Sequence, residues 1–155
     1  MQRAPVIAVV GAGGDDTPED VIAMAREVGA EIAARGATLV CGGRGGVMAA
    51  AAKGARERDG HTIGILPSYD RAEANPHIEF AVATGMGQAR NAIVIGTADA
   101  VIAMAGEGGT LSEIGLALKL GRPVIALRSW AQLHDLHRAE TPVAAVSMAL
   151  KLSGI

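Results

Sequence analysis

Short apolar runs recur along the chain, and each is followed by glycines or by a segment with helical spacing. The first run, residues 6–10, is mostly β-branched and ends at Gly11. A continuous apolar run of this length is typical of a strand buried on both faces of a parallel sheet. The runs predicted as strands are residues 6–10, 37–41, 62–66, 78–82, 99–104 and 124–127.

Helices are predicted between these runs. In the first, Thr17 suits the N-cap, Pro18 the first helical position and Asp20 the second half of a capping-box-like pair, and Gly36 ends the helix. Its apolar face comprises Val21, Ile22, Ala25, Val28, Gly29 and Ile32. Further helices are predicted after the glycines at 42–46 as far as Arg58, around Arg90 and Asn91, from near Thr110 to Leu120, and from Thr141-Pro142 to Leu152. The segment from Trp130 to this last helix is also expected to be mainly helical.

The alternation of strands and helices predicts an α/β fold. We expect one Rossmann-like domain over residues 1–155, with three α/β/α layers and a mainly parallel sheet. A chain of 155 residues is long enough to bury a core. Residues 68–77 are polar and lack periodicity, which indicates a surface loop or a lid. In such folds ligands bind beyond the carboxyl ends of the strands.

Composition narrows the classes of partner. Half of the residues are hydrophobic, the net charge is −2, and Tyr69, Phe80 and Trp130 are the only aromatic residues, so neither nucleic acid nor a membrane surface is expected as a partner. Cys41 is the only cysteine, which excludes an intramolecular disulfide and favours a buried hydrophobe in a reducing compartment. With no signal-peptide pattern and no apolar run long enough to span a bilayer, we expect a cytoplasmic protein.

Three glycine-rich loops follow predicted strands, at residues 11–14, 42–46 and 106–109. The last one opens a helix, where free N–H groups and the helix dipole suit an anion such as a phosphate. Arg44 either clamps such a phosphate or is a solvated loop residue; its position leaves both interpretations open. The candidate ligand contacts are Gly11, Gly13, Gly43, Arg44, Gly45, Gly106, Gly108, Gly109 and Thr110.

Familiar cofactor and metal motifs are not complete in this chain. Asp16 stands where the dinucleotide fingerprint requires its third glycine, so no NAD site is predicted, and no loop ends as a Walker motif does. Asp15 and Asp16 are interpreted as residues at a helix entrance. His134 and His137 would share one face of a helix, but without a third ligand they are interpreted as surface residues and no metal site is predicted.

Arg90 lies among apolar residues, so an inward-facing guanidinium needs a partner. Glu113, one turn into the helix after the third glycine loop, is the obvious candidate. The two residues then form either a structural ion pair or a catalytic or ligand-binding pair.

Five motifs occur in a characteristic order along nearly the whole chain. They are Gly42-Gly43 with Gly46-Val47-Met48, Gly64-Ile65-Leu66-Pro67, Met86 with Arg90-Asn91, Gly106-x-Gly108-Gly109-Thr110-x-x-Glu113, and Gly121-Arg122-Pro123-Val124. This set resembles the Lonely Guy (LOG) superfamily of Rossmann-like proteins, many of which were mislabelled lysine decarboxylases; lysine decarboxylation is not expected here. Enzymes of that family are phosphoribohydrolases that cleave nucleoside 5′-monophosphates. The resemblance implies that loop 106–110 holds the phosphate, that Glu113 acts at the anomeric carbon, and that Arg90 orients the substrate.

The chain departs from the enzyme pattern at three positions. The family proline is Ala105, its second glycine is Glu107 and its lysine is Asn91. Arg90-Asn91 and the residues around Glu113 are more similar to the molybdenum cofactor carrier branch, which binds a pterin phosphate without transforming it. We therefore expect a carrier that binds a phosphorylated nucleotide- or pterin-like molecule, with a molybdopterin-type ligand and no cofactor needed for folding.

Other functions stay open at this point. The alternative is a phosphoribohydrolase that releases base and ribose 5-phosphate, with Arg90 and Glu113 as its catalytic residues, and a ligand-sensing module is a third class. The resemblance also implies a homodimer or a homotetramer.

Overall fold

A computed structural model describes residues 2–155. The strands are β1 (Val6–Val10), β2 (Thr38–Cys41), β3 (Thr62–Leu66), β4 (Phe80–Ala83), β5 (Ala100–Ala103), β6 (Val124–Leu127) and β7 (His137–Ala139). The helices are α1 (Glu19–Ala34), α2 (Val47–Glu57), α3 (Asn91–Thr97), α4 (Gly108–Lys119) and α5 (Pro142–Ser153). The seven strands form one sheet in the order β4-β3-β2-β1-β5-β6-β7, and all paired strands are parallel.

The pleat of the central strand divides the core into two layers. Ile7 and Val9 of β1 face the layer that contains α1, α2 and α5, whereas Ala8 and Val10 face α3 and α4. Successive side chains of a strand point to opposite faces, so a continuous apolar run satisfies both layers at once. The predicted three-layer α/β/α fold with a parallel sheet is confirmed.

The segment from Trp130 to Thr141 is not helical, so that part of the prediction was wrong. It forms a loop and the short strand β7, whose residue Ala139 lies beside Leu127 of β6. Arg138 holds the loop through its guanidinium, which donates to the carbonyl oxygens of Ser129 at 3.0 Å and Trp130 at 2.8 Å. A three-residue edge strand is too short to show a periodicity of its own.

His134 and His137 consequently do not share a helical face. Both are exposed, and His137 belongs to β7.

The predicted capping box of the first helix is also absent. The Thr17 hydroxyl donates back to the Gly14 carbonyl oxygen at 2.6 Å, and Pro18 is the N-cap, without a side-chain cap hydrogen bond. At α5, by contrast, Thr141 accepts from the main-chain N–H of Ala144 at 3.2 Å and caps the helix as its sequence indicates.

From β1 the chain continues to β2 on one side of the sheet, whereas from β5 it continues to β6 on the other side. The two connections therefore run in opposite directions along the sheet. This reversal, the topological switch point of the sheet, opens a crevice beyond the carboxyl ends of the two strands. The first and third glycine loops both lie there. Within residues 2–155, no helix combines the length and apolarity that crossing a membrane requires.

Candidate functional site

A cavity of about 420 Å³ lies at the switch point, above the ends of β1 and β5. Its walls are joined by main-chain hydrogen bonds: Met104 N–H donates to the Val10 carbonyl and Ala12 N–H to the Ala105 carbonyl, both at 2.8 Å. The N–H of Val47 donates to the Ala12 carbonyl at 2.8 Å and brings the start of α2 against the same wall. The lining residues are Val9, Val10, Gly11, Ala12, Gly13, Gly14, Asp16, Gly42, Met48, Gln88, Arg90, Asn91, Glu107, Gly109, Thr110 and Glu113.

The N-terminus of α4 forms one end of the cavity. Its first N–H groups have no partner within the helix, as at any helix start. Thr110 is only 4% exposed, and its hydroxyl makes no hydrogen bond to any group in residues 2–155 although it lines the cavity. A Cβ atom on Gly106 would lie 2.2 Å from this Oγ1, so only glycine leaves room for the hydroxyl there. Buried hydroxyls are normally hydrogen-bonded, and this one is available to a ligand.

Arg90 is fixed in the opposite wall by the ends of two strands. Its Nη1 donates to the carbonyl oxygens of Gly42 at 2.7 Å and Ile65 at 2.8 Å. A side chain at position 42 would collide with it, because a Cβ atom there would lie 2.0 Å from Nη1. The Arg90 Nε is buried without a hydrogen-bond partner, and burial lowers the pKa of the guanidinium. The residue is therefore a pre-oriented cation with unused donors.

Glu113 lies one turn into α4 and is partly buried in the cavity wall. Burial raises the pKa of its carboxyl to about 7, and the positive charge of Arg90 opposes part of that increase. The expected ion pair between these two residues does not form in the described part of the chain. The Gly42 and Ile65 carbonyls hold Nη1 of Arg90 instead, and Glu113 stays free to meet a ligand.

Cys41 packs below this region and is fully buried. Burial raises the pKa of its thiol to about 11. The thiol therefore stays protonated at neutral pH and has little nucleophilic character, in agreement with its interpretation as a small buried hydrophobe.

The structure brings six of the predicted site residues together and leaves five outside the lining. Those in the cavity are Gly11, Gly13, Arg90, Gly109, Thr110 and Glu113; those outside are Gly43, Arg44, Gly45, Gly106 and Gly108. The Arg44 guanidinium points to the 68–77 loop, where its Nη1 is 3.3 Å from a carboxylate oxygen of Glu73. Of the two interpretations left open for Arg44, this geometry favours a surface loop residue.

Several lining residues were not predicted as ligand contacts. Asp16 was interpreted as a residue at the helix entrance, yet its exposed side chain faces the cavity. Gln88 belongs to a 3-10 turn, Gly87–Arg90, and Asn91 is the first residue of α3 directly after it. Both residues line the cavity together with Arg90. Their proximity to Arg90 in the sequence was the available signal.

Charge is unevenly distributed around the cavity. Asp16, Glu107 and Glu113 contribute carboxyl groups, and Arg90 is the one cationic side chain among the lining residues. No group of three or more His, Cys, Asp or Glu side chains suited to a metal ion occurs in residues 2–155. The cavity thus combines the N-terminus of α4, which suits an anion, with the exposed carboxylates of Asp16 and Glu107, which form its acidic rim.

Two solved structures of molybdenum cofactor proteins are similar to this chain. A solved structure of the molybdenum cofactor binding protein from Rippkaea orientalis is 36% identical, covers 98% of this chain and 99% of its own, and superposes with a TM-score of 0.91. The molybdenum cofactor carrier protein from Chlamydomonas reinhardtii is 35% identical over 99% of this chain and 100% of its own, with a TM-score of 0.89.

The proteins related to this chain by sequence include an enzyme. A cytokinin riboside 5′-monophosphate phosphoribohydrolase from Mycobacterium tuberculosis is 33% identical over 129 residues, which is 77% of this chain and 69% of that protein. The family model described as the SLOG cluster4 family matches residues 4–151. The resemblance inferred from the motifs is thereby confirmed: the chain belongs to the SLOG cluster4 family of the LOG superfamily.

Proposed function

We propose that this protein is a cytoplasmic carrier that binds a phosphorylated pterin- or nucleotide-like molecule in the switch-point cavity. The observation that carries this proposal is the hydroxyl of Thr110 at the N-terminus of α4: the residue is only 4% exposed, and its hydroxyl has no hydrogen-bond partner among residues 2–155. Together with the free N–H groups of the first helical turn it offers convergent donors for a phosphate. The cavity volume of about 420 Å³ lies in the range of small-molecule sites.

The remaining parts of the cavity suit the rest of such a ligand. Arg90 offers a fixed guanidinium, which binds phosphate oxygens well. Gln88 and Asn91 offer amides that both donate and accept, as the polar edge of a pterin or purine ring requires. These residues fit a molybdopterin-type ligand, whose phosphate would be held by Gly109, Thr110 and Arg90.

Binding without chemistry is favoured by the departures from the enzyme pattern. Asn91 replaces a lysine and removes a positive charge, and Glu107 adds a negative one at the phosphate end. Glu113, with a pKa raised to about 7, carries a full negative charge in only about half of the molecules at neutral pH. A neutral carboxyl stabilises an oxocarbenium-like transition state less than a carboxylate does. The likeness to molybdenum cofactor binding and carrier proteins supports the same choice.

Hydrolysis of a nucleoside 5′-monophosphate is the second candidate, favoured by the presence of Arg90 and Glu113 in one cavity. In this reaction water adds to the anomeric carbon, the N-glycosidic bond breaks, and the base leaves with a proton. Ionised Glu113 would stabilise the positive charge that develops on the ribose, and the anchored phosphate would position the substrate.

Purification from cells that make molybdenum cofactor tests the carrier directly. We expect the protein to retain molybdenum and pterin fluorescence, and Thr110→Val to retain much less because it keeps the shape and loses the hydroxyl. Thr97→Val is the matched control, since the Thr97 hydroxyl donates to the Ile93 carbonyl on an exposed part of α3. Absence of both signals, together with no affinity for added cofactor, would contradict the carrier function.

Incubation with AMP and related monophosphates separates the two functions. The carrier predicts no release of free base above that of Glu113→Gln, measured by chromatography. Base release that depends on Glu113 would contradict the carrier function and support the hydrolase function.

We also propose that the protein forms a homodimer or a homotetramer. Leu111 and Leu118 are seven residues apart on α4, so they lie on one face of it, where they are 45% and 40% exposed. Exposed apolar residues gathered on one face are typical of a contact surface. Light scattering after gel filtration should give a multiple of the monomer mass of 15.7 kDa, and Leu118→Glu should lower it. A monomer mass for the unaltered protein would contradict this proposal.

A further inference from the structure

The acidic rim of the cavity lies at the end where the anion is expected. Asp16 follows the first glycine loop, and Glu107 is the N-cap of α4, immediately before the helix start that faces the cavity. Neither carboxylate forms an ion pair with any group in residues 2–155. Both line the cavity and are exposed to the solvent.

An independent feature of the same cavity points to an anion. Thr110 is 4% exposed, its hydroxyl has no hydrogen-bond partner among residues 2–155, and it lines the cavity together with the two carboxylates. The two main-chain loops that carry Asp16 and Glu107 are joined by the hydrogen bond from Ala12 N–H to the Ala105 carbonyl, at 2.8 Å. A phosphate bound at Thr110 would share the cavity with two carboxylates, and Arg90 is the one cationic side chain among the lining residues.

We propose that a divalent cation of the Mg²⁺ type enters this cavity with the ligand and bridges its phosphate to Glu107, with Asp16 as a second ligand directly or through water. Mg²⁺ is usually held by one or two carboxylates, by phosphate oxygens of the bound molecule and by water, and not by a cage of protein groups. The chain has no cluster of three or more suitable side chains among its described residues. The protein alone is thus an incomplete site, which the phosphate completes.

This inference rests on the proposed phosphate site and explains why an acidic residue is compatible with it. It makes the binding of metal and phosphate mutually dependent. Each should bind weakly alone, and each should raise the affinity for the other by the same factor. Removing the Glu107 charge should weaken the metal-dependent binding and strengthen the metal-free binding, because it removes both the ligand of the cation and the repulsion of the phosphate.

The experiment titrates the protein with inorganic phosphate by calorimetry, once with Mg²⁺ and once with a chelator, and follows Mn²⁺ binding by water proton relaxation with and without phosphate. We expect Mg²⁺ to raise the phosphate affinity by at least about tenfold. Mn²⁺ should bind appreciably only when phosphate is present. Glu107→Gln should abolish most of the Mg²⁺ effect, Asp16→Asn should reduce it, and Glu140→Gln, on an exposed residue outside the cavity, should leave it unchanged.

Different results separate the two proposals. Equal phosphate affinity with Mg²⁺ and with chelator, or a Mg²⁺ effect that survives Glu107→Gln, would overturn the cation inference and leave the phosphate site standing. Phosphate binding lost in Thr110→Val under both conditions supports the phosphate site itself. No binding of phosphate by the unaltered protein under either condition would overturn the phosphate site and the cation inference together.

Discussion

Arg90 and Glu113 share one cavity but are held by different groups, and this difference decides their chemistry. Arg90 donates to the carbonyl oxygens of Gly42 and Ile65, so its orientation does not depend on Glu113. Glu113 has lost most of its hydration without gaining an ion pair, which raises its pKa to about 7. A side chain in this state changes charge close to neutral pH.

Glu113 should make folding stability depend on pH. Its pKa is about 7 in the folded protein, whereas a glutamate in an unfolded chain titrates near ~4.3. Between these values the folded state binds more protons than the unfolded state, so the free energy of unfolding falls as the pH rises. Glu113→Gln does not titrate, so its free energy of unfolding should equal that of the unaltered protein below pH ~4 and exceed it by on the order of 3 kcal/mol near pH ~8.

Urea unfolding of both proteins across this pH range measures the difference. Glu140→Gln, on an exposed glutamate outside the cavity, serves as the control. Stability curves for the unaltered protein and Glu113→Gln that stay parallel from low to high pH would show that the pKa of Glu113 is not raised.

Helices α1 and α2 approach each other closely enough that two glycines are required between them. A Cβ atom on Gly29 would lie 1.8 Å from the Ala51 carbonyl oxygen, and one on Gly54 would lie 1.8 Å from the Arg26 carbonyl oxygen. Because α2 begins at the cavity and supplies Met48 to its lining, this contact also positions part of the site. The packing of α1 on α2 thus links the core to the ligand-binding edge.

Gly29→Ala should lower the free energy of unfolding by at least about 2 kcal/mol, because the new methyl group meets a backbone atom that cannot move alone. Gly115→Ala is the matched control within a helix: nothing lies within 4 Å of a Cβ atom at that position. It should raise stability by up to about 1 kcal/mol through helix propensity. Equal effects of the two substitutions in urea unfolding would contradict the close helix contact.

Most helices and strands can be predicted because the sequence patterns that specify them lie within the elements themselves. Continuous apolar runs located six of the strands, and Thr141-Pro142 marked the start of α5. β7 was missed because three residues cannot show a period, and its position depends on Arg138 holding a loop through long-range contacts. Thr17 was misassigned because its hydroxyl has a competing acceptor, the Gly14 carbonyl.

Part of the candidate site was also predictable from local patterns in the sequence. Glycine loops at strand ends identified Gly11, Gly13, Gly109 and Thr110, since the ends of parallel strands meet at one edge of the sheet. Which loops border the cavity depends on the strand order, which local patterns do not determine. The loop at 42–46 follows β2, one strand away from the switch point, and it contributes Gly42 without its arginine.

For the molecule as a whole, the sheet order and the charge distribution converge on one place. The switch point between β1 and β5 aligns the N-terminus of α4 with Arg90 across a cavity whose rim is acidic. The sheet supplies rigidity, the glycine loops supply close approach, and the few polar side chains supply selectivity. A phosphorylated small molecule, the ligand class that we propose, would use all three.

The most direct test is a crystal structure of the protein grown with inorganic phosphate and Mg²⁺, or with molybdenum cofactor. We predict tetrahedral density within hydrogen-bond distance of the Gly109 main-chain nitrogen and the Thr110 Oγ1, and no such density in Thr110→Val. Phosphate bound elsewhere on the protein, or an empty α4 N-terminus at saturating ligand, would contradict the proposed phosphate site.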